Sequence, residues 1–313
     1  MDNLYYAVKN KNDLIREESA SGGFFSIIAE YVLNKGGVVY GAKLENDGEV
    51  HHVRIESMEN LCTIRGSKYV QSNMEGILKN IQEDVKSGYL VLFSGTPCQC
   101  AAAKAVLGER ENLILVDLIC HGVSSPKVFK AYWNMLERQN GKIEYFKFRD
   151  KEYSWIKQKW SVKYQNGKKD SISYEFRSYK EMYYKTILHR ESCFKCPFTS
   201  VNRVTDFTMG DFWGIEKVDC DWLDEKGVSL VIVHSVKALE MWKELSEKIL
   251  IREVKKEDCL QPQLCEPTKN LFPNSNFWNE FLKDNDYKRV MKKYGWPSRT
   301  RRLKDMIKKV LWK

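Results

Sequence analysis

Apolar positions along the chain keep two rhythms that alternate. After Ser19-Ala20-Ser21-Gly22-Gly23, the run FFSIIAEYVL repeats its large side chains at helical spacing until Gly36-Gly37 stops it. The segments VVYGAKL and VHHVRIE flank Asn46-Asp47-Gly48, which is hairpin chemistry, and a helix is predicted near Met74 to Lys86. YLVLFSG then reads as a buried strand ending at Gly95-Thr96-Pro97-Cys98, where another helix begins. ENLILVDLICHG repeats the unit: a strand whose C-terminal end carries Asp117, Cys120 and His121, and a helix from about Pro126. This alternation over residues 22–140 predicts an α/β fold with a mostly parallel or mixed sheet covered by helices.

The rhythm changes after residue 140. Tyr145 to Phe176 reads as an added antiparallel β portion pivoting on Asn166-Gly167, and a helix from Ser178 to Leu188 leads to Cys193 and Cys196. TDFTMGDFWG reads as strand and loop, SLVIVHS as a buried strand and KALEMWKELSEKI as an amphipathic helix. The expected organisation is an N-terminal region 1–85, a second region 86–254 holding the chemistry, and a C-terminal extension 255–313 with a helical tail. No internal repeat and no long linker interrupts this plan.

Charge adds one restriction. The 313 residues carry a net +9, but residues 291–313 hold nine Lys or Arg against one Asp. The remainder is nearly neutral, so a nucleic-acid footprint across the body is disfavoured. In the tail, Leu303, Met306, Ile307, Val310 and Leu311 share one helical face with Lys and Arg elsewhere. Such a helix can rest on an anionic membrane surface, grip a partner, or lie on its own domain. MDNLYYAVKNKNDLIREE has no apolar signal core, and no apolar run approaches the ~20 residues of a membrane span, so a cytoplasmic protein with at most peripheral membrane contact is expected.

Nine cysteines in such a chain do not suggest disulfides. Cys193-x-x-Cys196-Pro197 can offer two thiolates to one centre from a tight turn. No second pair stands nearby, so further ligands must come from afar. Cys98 and Cys120 each close a predicted strand at the edge where α/β active sites gather. Cys98 also opens a helix whose N-terminal dipole favours a thiolate. Four soft ligands suit zinc or an iron-sulfur centre, and spacing alone does not choose.

SASGGFF, VVYGA, RGSKYVQS, LFSGTPCQ, VDLICHGVSSP, FKFRDK and CFKCPFTSVNRVTDFTMGDFWG occur in that order as far as about Gly214. Together they resemble the beta subunits of coenzyme F420 hydrogenases and dehydrogenases. The resemblance implies FAD beside a 4Fe-4S cluster, with Cys98, Cys120, Cys193 and Cys196 as ligands. It also implies a flavin site lined by Ser21, Gly22, Gly23, Arg65, Ser67, Lys68, Tyr69, Gln71 and Thr96. Among these Lys68 is a candidate catalytic cation; His121, which follows the ligand candidate Cys120, is a candidate to orient the cluster, carry a proton to the flavin or cap the next helix. Cys62, Cys100, Cys220, Cys259 and Cys265 match no ligand motif and are expected to be buried thiols.

Many bacterial relatives carry a ferredoxin-like segment before these motifs, which is not seen here. Electrons are therefore expected from a ferredoxin, another redox partner or a small-molecule donor. The function expected is an oxidoreductase coupling one-electron and two-electron or hydride chemistry. The competing readings are a metal-stabilised scaffold, with zinc or no cofactor, and an electron-transfer subunit, either of them linked to polysaccharide biosynthesis.

Overall fold

A computed structural model describes residues 2–273 and 275–297. The tail helix expected to carry the apolar face Leu303 to Leu311 lies outside the described residues. Eleven strands are found among those described: β1 (Leu4–Asn10), β2 (Val38–Leu44), β3 (Val50–Ile55), β4 (Val91–Gly95), β5 (Leu113–Leu118), β6 (Ile143–Lys147), β7 (Ser161–Tyr164), β8 (Lys169–Asp170), β9 (Phe207–Asp211), β10 (Ser229–Val233) and β11 (Ile249–Glu253). Eight form one sheet in the order β11-β1-β10-β9-β5-β4-β2-β3, and β6-β7-β8 form a second.

The large sheet is mixed. β2, β4, β5 and β9 run parallel, while β3 and the group β10, β1, β11 join antiparallel. The parallel centre explains the unbroken apolar runs VLFSG and LILVDL, because both faces of these strands are covered. On one face, helices Phe24–Asn34 and Val236–Leu245 bury Ile28, Val32 and Trp242 against Val39, Leu92, Ile114 and Val116. On the other, helices Ile77–Lys86 and Pro97–Leu107 bury Ile81, Cys100 and Ala103 against Tyr40, Phe93 and Leu115. Strands from both sides of residue 85 thus share one sheet.

β1 was not foreseen from the sequence. Its Lys9 and Asn10 break the apolar pattern, yet both are buried, and Lys9 is neutralised by Asp224 at 2.8 Å. The segment expected as a last antiparallel strand, ISYEF, instead enters a helix at Tyr174–Tyr184, so the helix expected from Ser178 starts four residues earlier. Ser173 is the reason: its side chain accepts from Phe176 N, a cap that starts the helix locally.

Around the small sheet, helices Pro126–Asn140, Tyr174–Tyr184, Phe277–Phe281 and Tyr287–Val290 enclose an aromatic core of Phe129, Tyr132, Phe146, Trp160, Phe176, Tyr179 and Tyr287. Each such ring contributes about 1.5–3 kcal/mol on burial, and the buried hydroxyls are partnered, Tyr132 by Phe176 O at 2.8 Å and Tyr287 by Ser178 at 2.8 Å. Among the described residues no helix is long and apolar enough to cross a membrane.

Candidate functional site

The C-terminal ends of β4 and β5 deliver the first two thiols. β4 ends at Gly95, Thr96 caps the helix Pro97–Leu107, and Cys98 sits in its first turn, exposed, with Sγ 3.2 Å from Thr96 Oγ1. Beyond β5, the Ile119–Gly122 turn holds Cys120, whose Sγ accepts from Gly122 N at 3.4 Å. Cys193 lies in the short helix Glu191–Lys195, and Cys196 follows it.

Backbone pairing stitches these turns together. Ser124 bridges His189, and Arg190 N donates to Val123 O at 3.2 Å. A Cβ on Gly122, at φ +123°, would meet the His189 ring at 2.2 Å and Cys193 Cβ at 3.4 Å, so this close approach requires glycine.

Cys120 and Cys193 lie near enough to the other motif cysteines to feel their charge. Burial, and then the neighbouring Cys98, Cys193 and Cys196, push the Cys120 thiol up to about 12. Burial likewise raises Cys193, with Cys98 and Cys196 adding to it. A site that opposes bare thiolates favours a positive centre that would neutralise them. Among the described residues, no three of the four sulfurs lie mutually within 4.8 Å. Buried His121 Nε2 and both ring nitrogens of His189 lack a hydrogen-bonded partner beside these turns, although His189 also lies near the His121 carbonyl.

Next to Cys98 and Cys120 opens a cavity of about 260 Å³. This is just below the range for small-molecule sites, about 300–1,000 Å³. Ser21, Gly23, Arg65, Ser67 and Lys68 line one part, and Tyr69, Gln71, Thr96 and His121 another. Gly22, Cys193 and Cys196 are not among its lining residues. A larger polar groove of about 1080 Å³ runs alongside and shares Gln71 and Ser72, but none of the four motif cysteines reaches it.

Several of these residues have roles different from those expected. The Ser21 hydroxyl is spent on Val228 O at 2.7 Å. Gly22 is required by packing: a Cβ would lie 2.2 Å from Val8 O and 2.5 Å from Ser229 N. Arg65 is occupied by Ser26 at 2.9 Å and by Glu18. Among the described residues, Lys68 has no acidic partner and donates to the carbonyls of Arg65 at 2.9 Å and Gly66 at 3.2 Å. Though partly accessible along the cavity, its ammonium is ringed by protein, and that desolvation lowers its pKa to about 7.

Sequence reasoning missed Arg149. It lies within FKFRDK, and only the fold brings it to Asp211 at 2.5 Å and to Tyr69 OH at 3.4 Å. Tyr69 in turn stacks on Trp160, with rings 5.5 Å apart and nearly parallel. The five other cysteines divide: Cys100 and Cys259 are buried as expected, whereas Cys62, Cys220 and Cys265 are exposed, because they sit in short surface turns.

The model of the family that comprises the C terminus of the beta subunit of coenzyme F420 hydrogenase/dehydrogenase matches residues 89–258, more than half of the chain. Among solved structures, a chain of the xenon-derivatised F420-reducing [NiFe] hydrogenase complex from Methanosarcina barkeri shares the fold. The TM-score is 0.53 at 16% identity, covering 93% of this chain and 90% of that one. No curated protein matches in sequence.

Proposed function

The chain belongs to the coenzyme F420 hydrogenase/dehydrogenase beta-subunit family, and from that premise we propose that it is an iron-sulfur flavoprotein oxidoreductase. Cys98, Cys120, Cys193 and Cys196 would hold a 4Fe-4S cluster, and the adjoining cavity would hold the ring of FAD. When bound, the cluster supplies one-electron transfer, and the flavin exchanges one electron or two with a partner protein or a small molecule. The observation that carries the reading is the convergence of four thiols from three separate turns, two of which, Cys98 and Cys120, line one glycine-rich cavity.

The chain's own residues have distinct tasks in this site. Gly23 and Gly41 line the cavity, and side chains there would press on Asn10 and Ile64 in its surroundings. Tyr69, braced by Trp160, offers an aromatic surface. Lys68 can answer negative charge that arrives in the cavity by holding its proton more tightly, since nothing acidic competes for it. Arg149 and Asp211 cancel each other and fix the edge beside Tyr69 without adding net charge.

The experiment is anaerobic purification with visible spectroscopy of Cys196→Ser and Cys259→Ser. The first should lose the broad visible absorption and reduction of the flavin by external donors, while the second keeps both. Equal behaviour of the two variants would overturn the ligand assignment.

A further inference from the structure

One buried histidine belongs to none of the roles above. His52 on β3 reaches past β2 to the chain end of β4: its Nε2 lies 3.0 Å from Ser94 O. The residue paired with it on β2 is Ala42, whose methyl leaves that crossing open, and the Phe93 ring stacks on the imidazole at 5.2 Å. A carbonyl only accepts, so Nε2 carries the hydrogen. Burial lowers the His52 pKa to about 4, which leaves the ring neutral and Nδ1 a bare acceptor. Ser72 Oγ, at 2.9 Å, must therefore donate to Nδ1.

The chain of bonds continues in one direction. Having given its proton away, Ser72 Oγ accepts from Gln99 Nε2 at 2.9 Å. That sets the Gln99 amide with Oε1 toward Thr96, where the backbone N–H at 2.9 Å independently requires an oxygen. Both ends thus demand the same arrangement. Thr96 Oγ1 also donates to Gln99 Oε1, at 3.0 Å, and so turns a lone pair toward Cys98 Sγ at 3.2 Å. In the metal-free chain, before Cys98 gives up its proton to become a ligand, its thiol can donate to Thr96 Oγ1 in one direction, and this bond sets how the sulfur is presented.

We propose that His52 is a positioning residue for Cys98, acting through Ser72, Gln99 and Thr96 to fix the orientation of that thiol at the mouth of the cavity. Three stretches of chain, β3, the segment around Ser72 and the start of the helix Pro97–Leu107, are locked to one another by these bonds. A histidine serving packing alone would need neither Ser72 nor Gln99. The inference rests on the proposed function only in taking Cys98 as a ligand.

Two measurements test it. In the full-length chain as purified, nitrogen-15 NMR of the His52 ring should show Nε2 protonated and Nδ1 bare. A protonated Nδ1 overturns the proposal, whatever cofactor the chain holds. In the full chain freed of metal by chelation, with circular dichroism showing the fold retained, alkylation of Cys98 is read against exposed Cys265 in the same molecule. Ser72→Ala and His52→Phe should each speed Cys98 alkylation about fivefold, the size of one ordinary hydrogen bond. In a Thr96→Val background Ser72→Ala should add nothing, because the path runs through Thr96. A change under about twofold in Ser72→Ala, or an undiminished effect in the Thr96→Val background, overturns it. If His52→Phe fails to fold, Ser72→Ala and the NMR still decide. Since neither arm needs a cluster or a flavin, their failure is separate from failure of the cofactor assignment.

Discussion

Arg149 grips Asp211 at two points, 2.5 and 3.3 Å, and the two side chains are only 4% and 14% exposed. Trp155 Nε1 adds a third bond to the same carboxylate at 2.7 Å, and the guanidinium lies over the Trp213 ring at 5.6 Å. The pair closes the cavity edge behind Tyr69. Removing one partner leaves a buried charge uncompensated, so Arg149→Met or Asp211→Ala should cost about 3–5 kcal/mol by urea unfolding. The double variant should lose less than the sum of the singles. Additive losses would show that the two do not act as a pair.

Gly22 marks the closest approach of the Ser19–Gly23 loop to the sheet. Its missing side chain is demanded by two backbone atoms, Val8 O and Ser229 N, which cannot turn aside. Gly22→Ala should cost about 1–3 kcal/mol in thermal unfolding and shift the loop that lines the cavity, lowering flavin retention. Wild-type stability in this variant would contradict the packing.

Much of this fold could be read from sequence, and the exceptions share a cause. β4, β5 and β10 were legible because burial on both faces leaves an unbroken apolar run. β1 was not, because the carboxylate that lets Lys9 be buried comes from Asp224, far along the chain. Thiols at the ends of β4 and β5 could be anticipated, since strand ends collect chemistry. Arg149 and His52 could not: their partners are Asp211 and Tyr69 for the first and Ser72 and Ser94 for the second, and no local pattern announces contacts that the fold creates. Cys62, Cys220 and Cys265 show the converse, as residue type suggested burial but the short turns they occupy face water.

Asp117 and His234 set a pH signature. Both bond Thr208 Oγ1, Asp117 at 2.5 Å and His234 at 2.8 Å, and Arg203 faces Asp117 at 3.4 Å. Burial raises Asp117 to about 6, Arg203 and Thr208 only partly opposing it, and Cys100 packs nearby. Burial, then Arg203, lowers His234 to about 4. Between about pH 4 and 6 folding gains a proton at Asp117, so that stability is lost as pH rises. From about pH 4 to 6.5 folding loses one at His234, so stability increases with pH. In the wild type these slopes oppose one another. Urea midpoints across this range should rise more steeply with pH in Asp117→Asn and fall, relative to wild type, in His234→Gln. Slopes unchanged from wild type in both variants would contradict the assignment.

Native mass spectrometry of the anaerobically purified full-length chain reads the inorganic content directly. The account predicts a mass increment of four irons and four sulfides together with one FAD, and loss of the inorganic part in Cys196→Ser. A wild-type chain carrying a single zinc, or no metal and no flavin, would contradict it.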